Sequence, residues 1–278
     1  MSIWREEILH SAWRARFEVS NLVYEEKSEF QDIVVFDNEN YGRILMIDNI
    51  VQLSTRDEFI YHEMMPHVAL FSVQNPTSVL IVGGGDGGIM REALRHKSVT
   101  DVTLCELDEK VINISKKYLP TVAGGAFEDP RAKVEIADGA KFMAETEKKF
   151  DAILVDSTDP IGPGEVLFSQ SFYANCARCL KPGGVAVTQQ GAPIFQGGEL
   201  RNSLRKLKPS FAYTSFFLLS PASYFGGNFA LGFSSNEAKP KGPVRRDSSI
   251  ETKYYSPEIH ASAFVIPSYI KQIAGECD

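Results

Sequence analysis

Val79-Leu-Ile-Val-Gly-Gly-Gly-Asp-Gly-Gly88 decides the fold. An apolar, strand-forming run enters a Gly-rich turn, and residues 87–96 continue at helical spacing. A strand that turns through glycines into a helix opens a βαβ unit, and the glycines let a ligand approach the backbone. The pattern then repeats. Residues 102–105 predict the next strand, 109–118 the next helix, and 132–136, 152–155 and 184–188 further strands with helical stretches between them. Such alternation implies a parallel sheet covered on both faces. Segments 212–219 and 228–233 predict a closing antiparallel pair.

Upstream, residues 13–54 are strand-like. Gln31-Asp-Ile-Val-Val-Phe36 and Arg43-Ile-Leu-Met-Ile47 flank the turn-forming Asp37-Asn-Glu-Asn-Tyr-Gly42 and predict a β-hairpin. Residues 56–72 carry apolar positions at helical spacing. Thr55, Asp57 and Glu58 stand at the start, where a cap and negative charge are favoured. The expected division is an N-terminal β-unit over 1–54 and an α/β unit over 55–278. Residues 236–251 are polar, hold Pro240 and Pro243, and read as a surface loop or partly mobile excursion.

With 278 residues and 44% hydrophobic content, the chain can bury a full core. A net charge of −7 argues against nucleic acid as the main partner and is compatible with a cationic substrate. Of the cysteines, Cys105 reads as core. Cys176 and Cys179 form a lone C-x-x-C inside a helix, with no second pair to complete a zinc site, and Cys277 adds no disulfide framework. No apolar run is long enough to span a bilayer, and the start Met-Ser-Ile-Trp-Arg-Glu-Glu lacks the regions of a signal peptide. The expected location is the cytoplasm, with no membrane partner.

Acidic residues mark the strand ends. About twenty residues beyond the Gly-rich turn, the next strand ends at Cys105-Glu106, where a carboxylate can accept hydrogen bonds from both ribose hydroxyls. A nicotinamide dinucleotide and an S-adenosyl compound both fit this much. Asp86 separates them: it stands where a dinucleotide would put its pyrophosphate, and a carboxylate there repels phosphate and attracts an ammonium group. Asp138-Gly139 follows the next strand, where a carboxylate can accept from an adenine amino group. Each acid alone reads equally well as a helix cap; the set points to an S-adenosyl ligand. Phe150-Asp-Ala-Ile-Leu-Val155 then leads into Asp156-Ser-Thr-Asp-Pro-Ile-Gly-Pro163. Two carboxylates three residues apart, just past a strand end and followed by a loop long enough to close over a ligand, suit a cationic substrate or an amine that must lose a proton.

The chain resembles the spermidine synthase family of polyamine aminopropyltransferases. The resemblance runs over nearly the full length. Its stretches are Gln31–Phe36, Thr55-Arg-Asp-Glu-Phe-Ile-Tyr-His-Glu-Met64, Ile81–Gly88, Glu106-Leu-Asp108, Asp138-Gly139, Asp156–Pro163, and Tyr254-Tyr-Ser-Pro-Glu-Ile-His-Ala-Ser-Ala-Phe264. It implies a Rossmann-like S-adenosyl-binding domain with a small N-terminal β-domain, assembled as a homodimer or homotetramer. It also implies decarboxylated S-adenosylmethionine as co-substrate, no prosthetic group, no metal, and putrescine as acceptor, giving spermidine and 5′-methylthioadenosine. By motif position, Gln31 contacts the donor, Glu106 its ribose, and Asp138 and Gly139 its adenine. Asp86 takes the aminopropyl ammonium, and Pro163 lines the donor side of the loop. Asp156 is the implied proton acceptor, Asp159 grips the diamine, and Tyr61, His62 and Tyr224 line the acceptor site. The chain departs from the family's common pattern at Pro221-Ala-Ser-Tyr224, where the proline is displaced, at Trp13-Arg-Ala-Arg-Phe17, and at Gln189-Gln-Gly-Ala-Pro193. All three surround the far end of the diamine.

Two rival readings use the same residues. An amine N-methyltransferase would take the intact donor, whose carboxylate would meet Asp86 at close range. A nucleoside-binding protein without catalysis would need no base at the reacting carbon, which Asp156 and Asp159 supply. His62 and His67, five apart on one helix, do not share a metal-binding face. His260 reads as structural, Ser157 has no histidine partner at a recognisable spacing, and Arg245-Arg246 is too short for a nucleic-acid site.

Overall fold

The computed structural model describes residues 3–160, 162–237, 239 and 242–275. At its N-terminal end β1 (Ile3–Glu7) pairs antiparallel with β2 (Ala15–Val19). Strands β3 (Asn21–Lys27), β4 (Asp32–Asn38), β5 (Gly42–Ile47) and β6 (Ile50–Ser54) then form an antiparallel sheet in chain order. The expected hairpin is β4–β5, with Ile33 opposite Ile47 and Phe36 opposite Ile44. Strand periodicity sends alternate residues to opposite faces. Val34, Phe36, Ile44 and Met46 therefore pack on Ala15 and Phe17 of β2. Ile33, Val35, Leu45 and Ile47 pack the other way, on Val111, Ile114 and Leu119 of the following unit.

That unit begins with α1 (Glu58–Phe71) and β7 (Ser78–Gly83). It continues through α2 (Gly88–Leu94), β8 (Asp101–Glu106), α3 (Glu109–Tyr118), α4 (Pro120–Ala123), β9 (Ala132–Ile136), α5 (Gly139–Glu145) and β10 (Phe150–Asp156). After a 3₁₀ segment at Gly162–Phe168 come α6 (Gln170–Cys179), β11 (Leu180–Gly191), α7 (Pro193–Leu207), β12 (Tyr213–Leu219), β13 (Phe229–Ser235), α8 (Pro257–Ala263) and α9 (Ser268–Ala274). The strands make a seven-stranded sheet in the order β12-β13-β11-β10-β7-β8-β9. Neighbours from β11 to β9 are parallel, and β12 and β13 close the other edge antiparallel, as the sequence predicts. The fold is Rossmann-like α/β with a β-rich N-terminal portion.

The apolar run of β7 shows why the sheet is covered twice. Val79 and Ile81 pack with α1 and α2 residues such as Met65, Val68 and Ile89, while Leu80 and Val82 pack with Met143, Phe172 and Tyr173 on the opposite side. Fully burying each such aliphatic side chain contributes about 1.5–3 kcal/mol. The chain runs outward from β7 to β8 and β9, then returns to place β10 on the other side of β7. The crevice of an open α/β sheet lies at such a reversal, beyond the carboxyl ends of the strands.

One local expectation is corrected. Asp57 precedes α1 but does not cap it; its carboxylate accepts from Ser223 N at 2.7 Å and Ser223 Oγ at 3.0 Å instead. The described residues of 236–251 form no helix or strand, as expected of a surface loop; 238, 240 and 241 lie outside the described residues, and the stretch is anchored at 244 and 245. Val244 N donates to Phe71 O at 2.9 Å, Arg245 Nε to Val73 O at 3.2 Å, and the Arg245 guanidinium lies 4.8 Å from the Phe71 ring centre. Cation–π contact and a carbonyl partner anchor this arginine, and a reading of polarity alone does not register either. Cys176 and Cys179 are buried free thiols on α6. Among the described residues no helix is long and apolar enough to cross a membrane, and no His, Cys, Asp or Glu group is arranged to hold a metal.

Candidate active site

The β7–β10 pair builds the floor of the site. Asp156, the last residue of β10, stands in register with Gly83, the last of β7. Gly83 takes φ +82°, and a Cβ there would lie 2.0 Å from the Asp156 carbonyl oxygen, so only glycine lets the two strands close beneath the turn. Above them opens a cavity of about 530 Å³. Gln31, Tyr61, His62, Asp86, Glu106, Asp138, Gly139, Asp156, Asp159 and Tyr224 all line it. The structure thus brings together every site residue named from the sequence except Pro163, whose side chain lies outside the described residues.

At one end, the strand-end acids are held by backbone. Glu106 accepts from Gly85 N at 3.1 Å and from Asp108 N at 3.0 Å, while burial pushes its carboxyl up to about 7. Asp138 caps α5, its Oδ1 accepting from Ala140 N at 2.8 Å and Lys141 N at 3.1 Å. The cap and the cavity position coexist in one residue. Gln31 reaches across from the N-terminal sheet, Nε2 donating to Asp108 Oδ2 at 3.1 Å. Asp108 also lines the cavity and caps α3. It is absent from the sequence-derived site, although an aspartate directly before a helix was the available signal.

The centre holds paired carboxylates with aromatic walls. Tyr61 Oη donates to Asp156 Oδ1 at 2.7 Å. Burial, then the neighbouring Asp86 carboxylate, pushes Asp156 up to about 7, against the Tyr61 hydrogen bond that favours its anion. Asp86 Oδ1 accepts from Gly88 N at 2.7 Å and lies 3.4 Å from His62 Nε2. Burial alone would lower the His62 pKa; Asp86 and Glu58 overcome it and push it up to about 10. Tyr61 and Tyr224 pack edge to face with ring centres 5.7 Å apart, and burial first, then Asp156, holds both phenols well above their usual range. Both therefore stay hydrogen-bond donors at any working pH.

The far end carries acids as well. Asp159 accepts from Gln196 Nε2, and burial raises its carboxyl. Glu7, from β1, lines the same cavity at 6% exposure. Burial pushes it up to about 7, opposed by a bond from Val51 N at 3.1 Å and reinforced by Asp159. Gln189 lines the cavity, and its Oε1 is buried without a hydrogen-bond partner. Trp13, Phe195 and Phe225 cluster behind, with Trp13–Phe225 centres 4.8 Å apart and Trp13–Phe195 5.9 Å apart. Glu7 escaped the sequence reading because Ile3-Trp-Arg-Glu-Glu7 shows no alternation and no strand signal. Four carboxyls raised by burial in one cavity, Glu7, Glu106, Asp156 and Asp159, with Asp86 beside them, describe a site whose charge a cation would complete.

Known proteins similar to this chain identify its family. Residues 58–241 match the spermine/spermidine synthase domain, and residues 3–55 the spermidine synthase tetramerisation domain. The polyamine aminopropyltransferase of Ruegeria sp. (strain TM1040) is 44% identical over 278 residues, covering 98% of each chain. Polyamine aminopropyltransferase 1 of Pseudomonas aeruginosa is 43% identical over 281 residues, again covering 98% of each. A solved spermidine synthase in complex with the transition-state analogue AdoDATO superposes with a TM-score of 0.93 at 34% identity, covering 99% of this chain and 96% of that one. The spermidine synthase of Thermotoga maritima follows at 0.90 and 33%, covering 99% and 95%. The chain belongs to the spermine/spermidine synthase family of polyamine aminopropyltransferases.

Proposed function

We propose that this cavity transfers the aminopropyl group of decarboxylated S-adenosylmethionine to putrescine, giving spermidine and 5′-methylthioadenosine. The observation that carries the reading is the convergence of Asp86, Asp156 and Asp159 on one cavity, with Tyr61 bonded to Asp156. In this reading the donor's adenine lies against Asp138 and Gly139, its ribose on Glu106, and Gln31 and Pro163 flank it. Its ammonium meets Asp86.

The sulfonium makes its attached methylene electrophilic without further activation. The nitrogen lone pair of the diamine forms the new C–N bond as the C–S bond breaks, and the bonding pair stays on sulfur as a neutral thioether. A free alkylamine is mostly protonated at neutral pH, so the attacking nitrogen must shed a proton. Asp156, poised near neutrality by burial, accepts it. Asp159 orients the diamine and His62, Tyr61 and Tyr224 wall it in. Glu7 offers an acceptor for the distal ammonium. Holding both cations in line supplies much of the rate.

We further propose that residues 1–54 form a unit of their own against 55–278, and that copies assemble through it as a homotetramer or homodimer; light scattering separates the two. The cytoplasm is the proposed location. Calorimetry tests the donor: the decarboxylated compound is expected to bind more tightly than intact S-adenosylmethionine, whose carboxylate would face Asp86. Equal affinity, or preference for the intact donor, would count for the methyltransferase reading.

A further inference from the structure

Behind Asp86 stands a row of alternating charges, most of which lies outside the cavity wall. His62 Nδ1 bonds Glu58 Oε2 at 2.5 Å, one turn earlier on α1, while its Nε2 faces Asp86 Oδ1. Glu58 accepts twice from the Arg91 guanidinium, at 3.0 and 3.3 Å. Arg91 Nε donates to Glu92 Oε1 at 2.8 Å, and Glu92 Oε2 also takes Arg95 at 2.8 Å and His67 at 3.0 Å. The His62 side chain is 3% exposed, Glu58 11% and Glu92 3%. The imidazole is wedged in place: a Cβ on Gly88 would meet His62 Nδ1 at 2.2 Å.

Ionised groups withdrawn from water stabilise a fold poorly, because desolvation offsets their attraction. Four such side chains in a row therefore call for another explanation. Glu58 and Arg91 are not in the cavity wall, whereas His62 and Asp86 are. The row ends on the carboxylate that, in the reading above, receives the donor's ammonium. The charged and titratable groups facing His62 are Glu58 and Tyr61 from α1, Asp86 from the turn after β7, and Asp156 from the end of β10. Burial alone would raise the Glu58 carboxyl; His62, then Arg91, overcome it and hold it down at about 2, so it remains an anion throughout the working range.

We propose that Glu58 and Arg91 are positioning residues for the donor: Arg91 clamps Glu58, Glu58 fixes the His62 ring, and His62 with Gly88 N holds Asp86 Oδ1, leaving Oδ2 for the donor's ammonium. The inference rests on the donor reading given above. It differs from a packing role in one respect. It concerns only the ammonium, so a ligand that shares the nucleoside but lacks that group is indifferent to it.

The test is calorimetry on the full chain with decarboxylated S-adenosylmethionine and, in parallel, 5′-methylthioadenosine. Glu58→Gln and Arg91→Met are expected to weaken the first by about tenfold or more, the usual consequence of losing a charge-assisted hydrogen bond. The second should change less than about twofold, and Arg91→Lys should restore most of the donor affinity. Equal losses for both ligands, or no loss for either, would overturn the proposal. Where Arg91→Met fails to fold, the near-isosteric Glu58→Gln carries the comparison. Nitrogen-15 spectra of His62 in the parent chain at pH 8 should show an imidazolium; a neutral ring would also overturn it. If the parent chain binds both ligands equally, the donor reading itself is wrong and the positioning role falls with it.

Discussion

Tyr61 Oη donates to Asp156 Oδ1 across 2.7 Å, from the first turns of α1 to the last residue of β10. This bond, with the nearby His62, favours the Asp156 anion against burial and Asp86. Tyr61→Phe removes it and leaves the burial in place. The Asp156 pKa is then expected to rise, moving the acid limb of kcat/KM to higher pH, with turnover at pH 7 falling roughly tenfold for the loss of one hydrogen bond to a charged group. A pH–rate profile of the variant checks this.

Asp156→Asn keeps the shape and removes the proton acceptor. Losing a general base costs about 10²–10⁴ in rate. Donor affinity should fall far less than turnover, which calorimetry beside steady-state kinetics resolves. Near-parental turnover at saturating diamine would show that the base lies elsewhere.

The raised carboxyls also govern pH dependence. In the free protein Asp156 titrates near 7, so kcat/KM should rise with pH up to about 7. The limb of kcat should lie lower, because bound cations favour the anion. Stability runs the other way. Asp156, Glu106 and Glu7 are pushed up to about 7, so between their unfolded values near 4 and pH 7 the folded state holds protons that the unfolded chain has released. These groups therefore lower the stability of the ligand-free protein as pH rises through that window. Glu58 and Glu92, held down at about 2, contribute stability above pH 4 that is lost on acidification toward 2. Thermal melts from pH 5 to 8 should show the donor-induced rise in Tm growing with pH.

Glu7 offers a test of the acceptor end. Glu7→Gln keeps an acceptor for Val51 N and removes the charge. The KM for putrescine is expected to rise about tenfold, as for one charge-assisted hydrogen bond, with donor affinity unchanged. A monoamine of the same length lacks the distal ammonium and should be used equally by both proteins. An equal effect on diamine and monoamine would place Glu7 away from that ammonium.

Much of this was legible in the chain because strand ends and turns carry their own chemistry. The run Val79–Gly88 shows strand, turn and helix in ten residues, and acids at Glu106, Asp138 and Asp156 mark carboxyl ends that the sheet places on either side of β7. What escaped depends on partners far away in sequence. Glu7 reaches the cavity only because β1 folds over it, and its strand has no alternation to announce it. Asp57 sits where a cap belongs, yet Ser223 offers two donors and takes it. Arg245 looked like part of a polar loop until Phe71 and Val73 supplied a ring and a carbonyl. Arg91 gave no signal at all, since its meaning lies in Glu58 and Glu92 on either side of it in space.

The most direct measurement is mass spectrometry of the products formed when the full chain is incubated with putrescine and either decarboxylated or intact S-adenosylmethionine. Spermidine and 5′-methylthioadenosine are expected from the decarboxylated donor, with no methylated amine from the intact one. A methylated diamine from intact S-adenosylmethionine, or no aminopropyl transfer to any diamine in a panel that includes cadaverine and agmatine, would contradict the assignment.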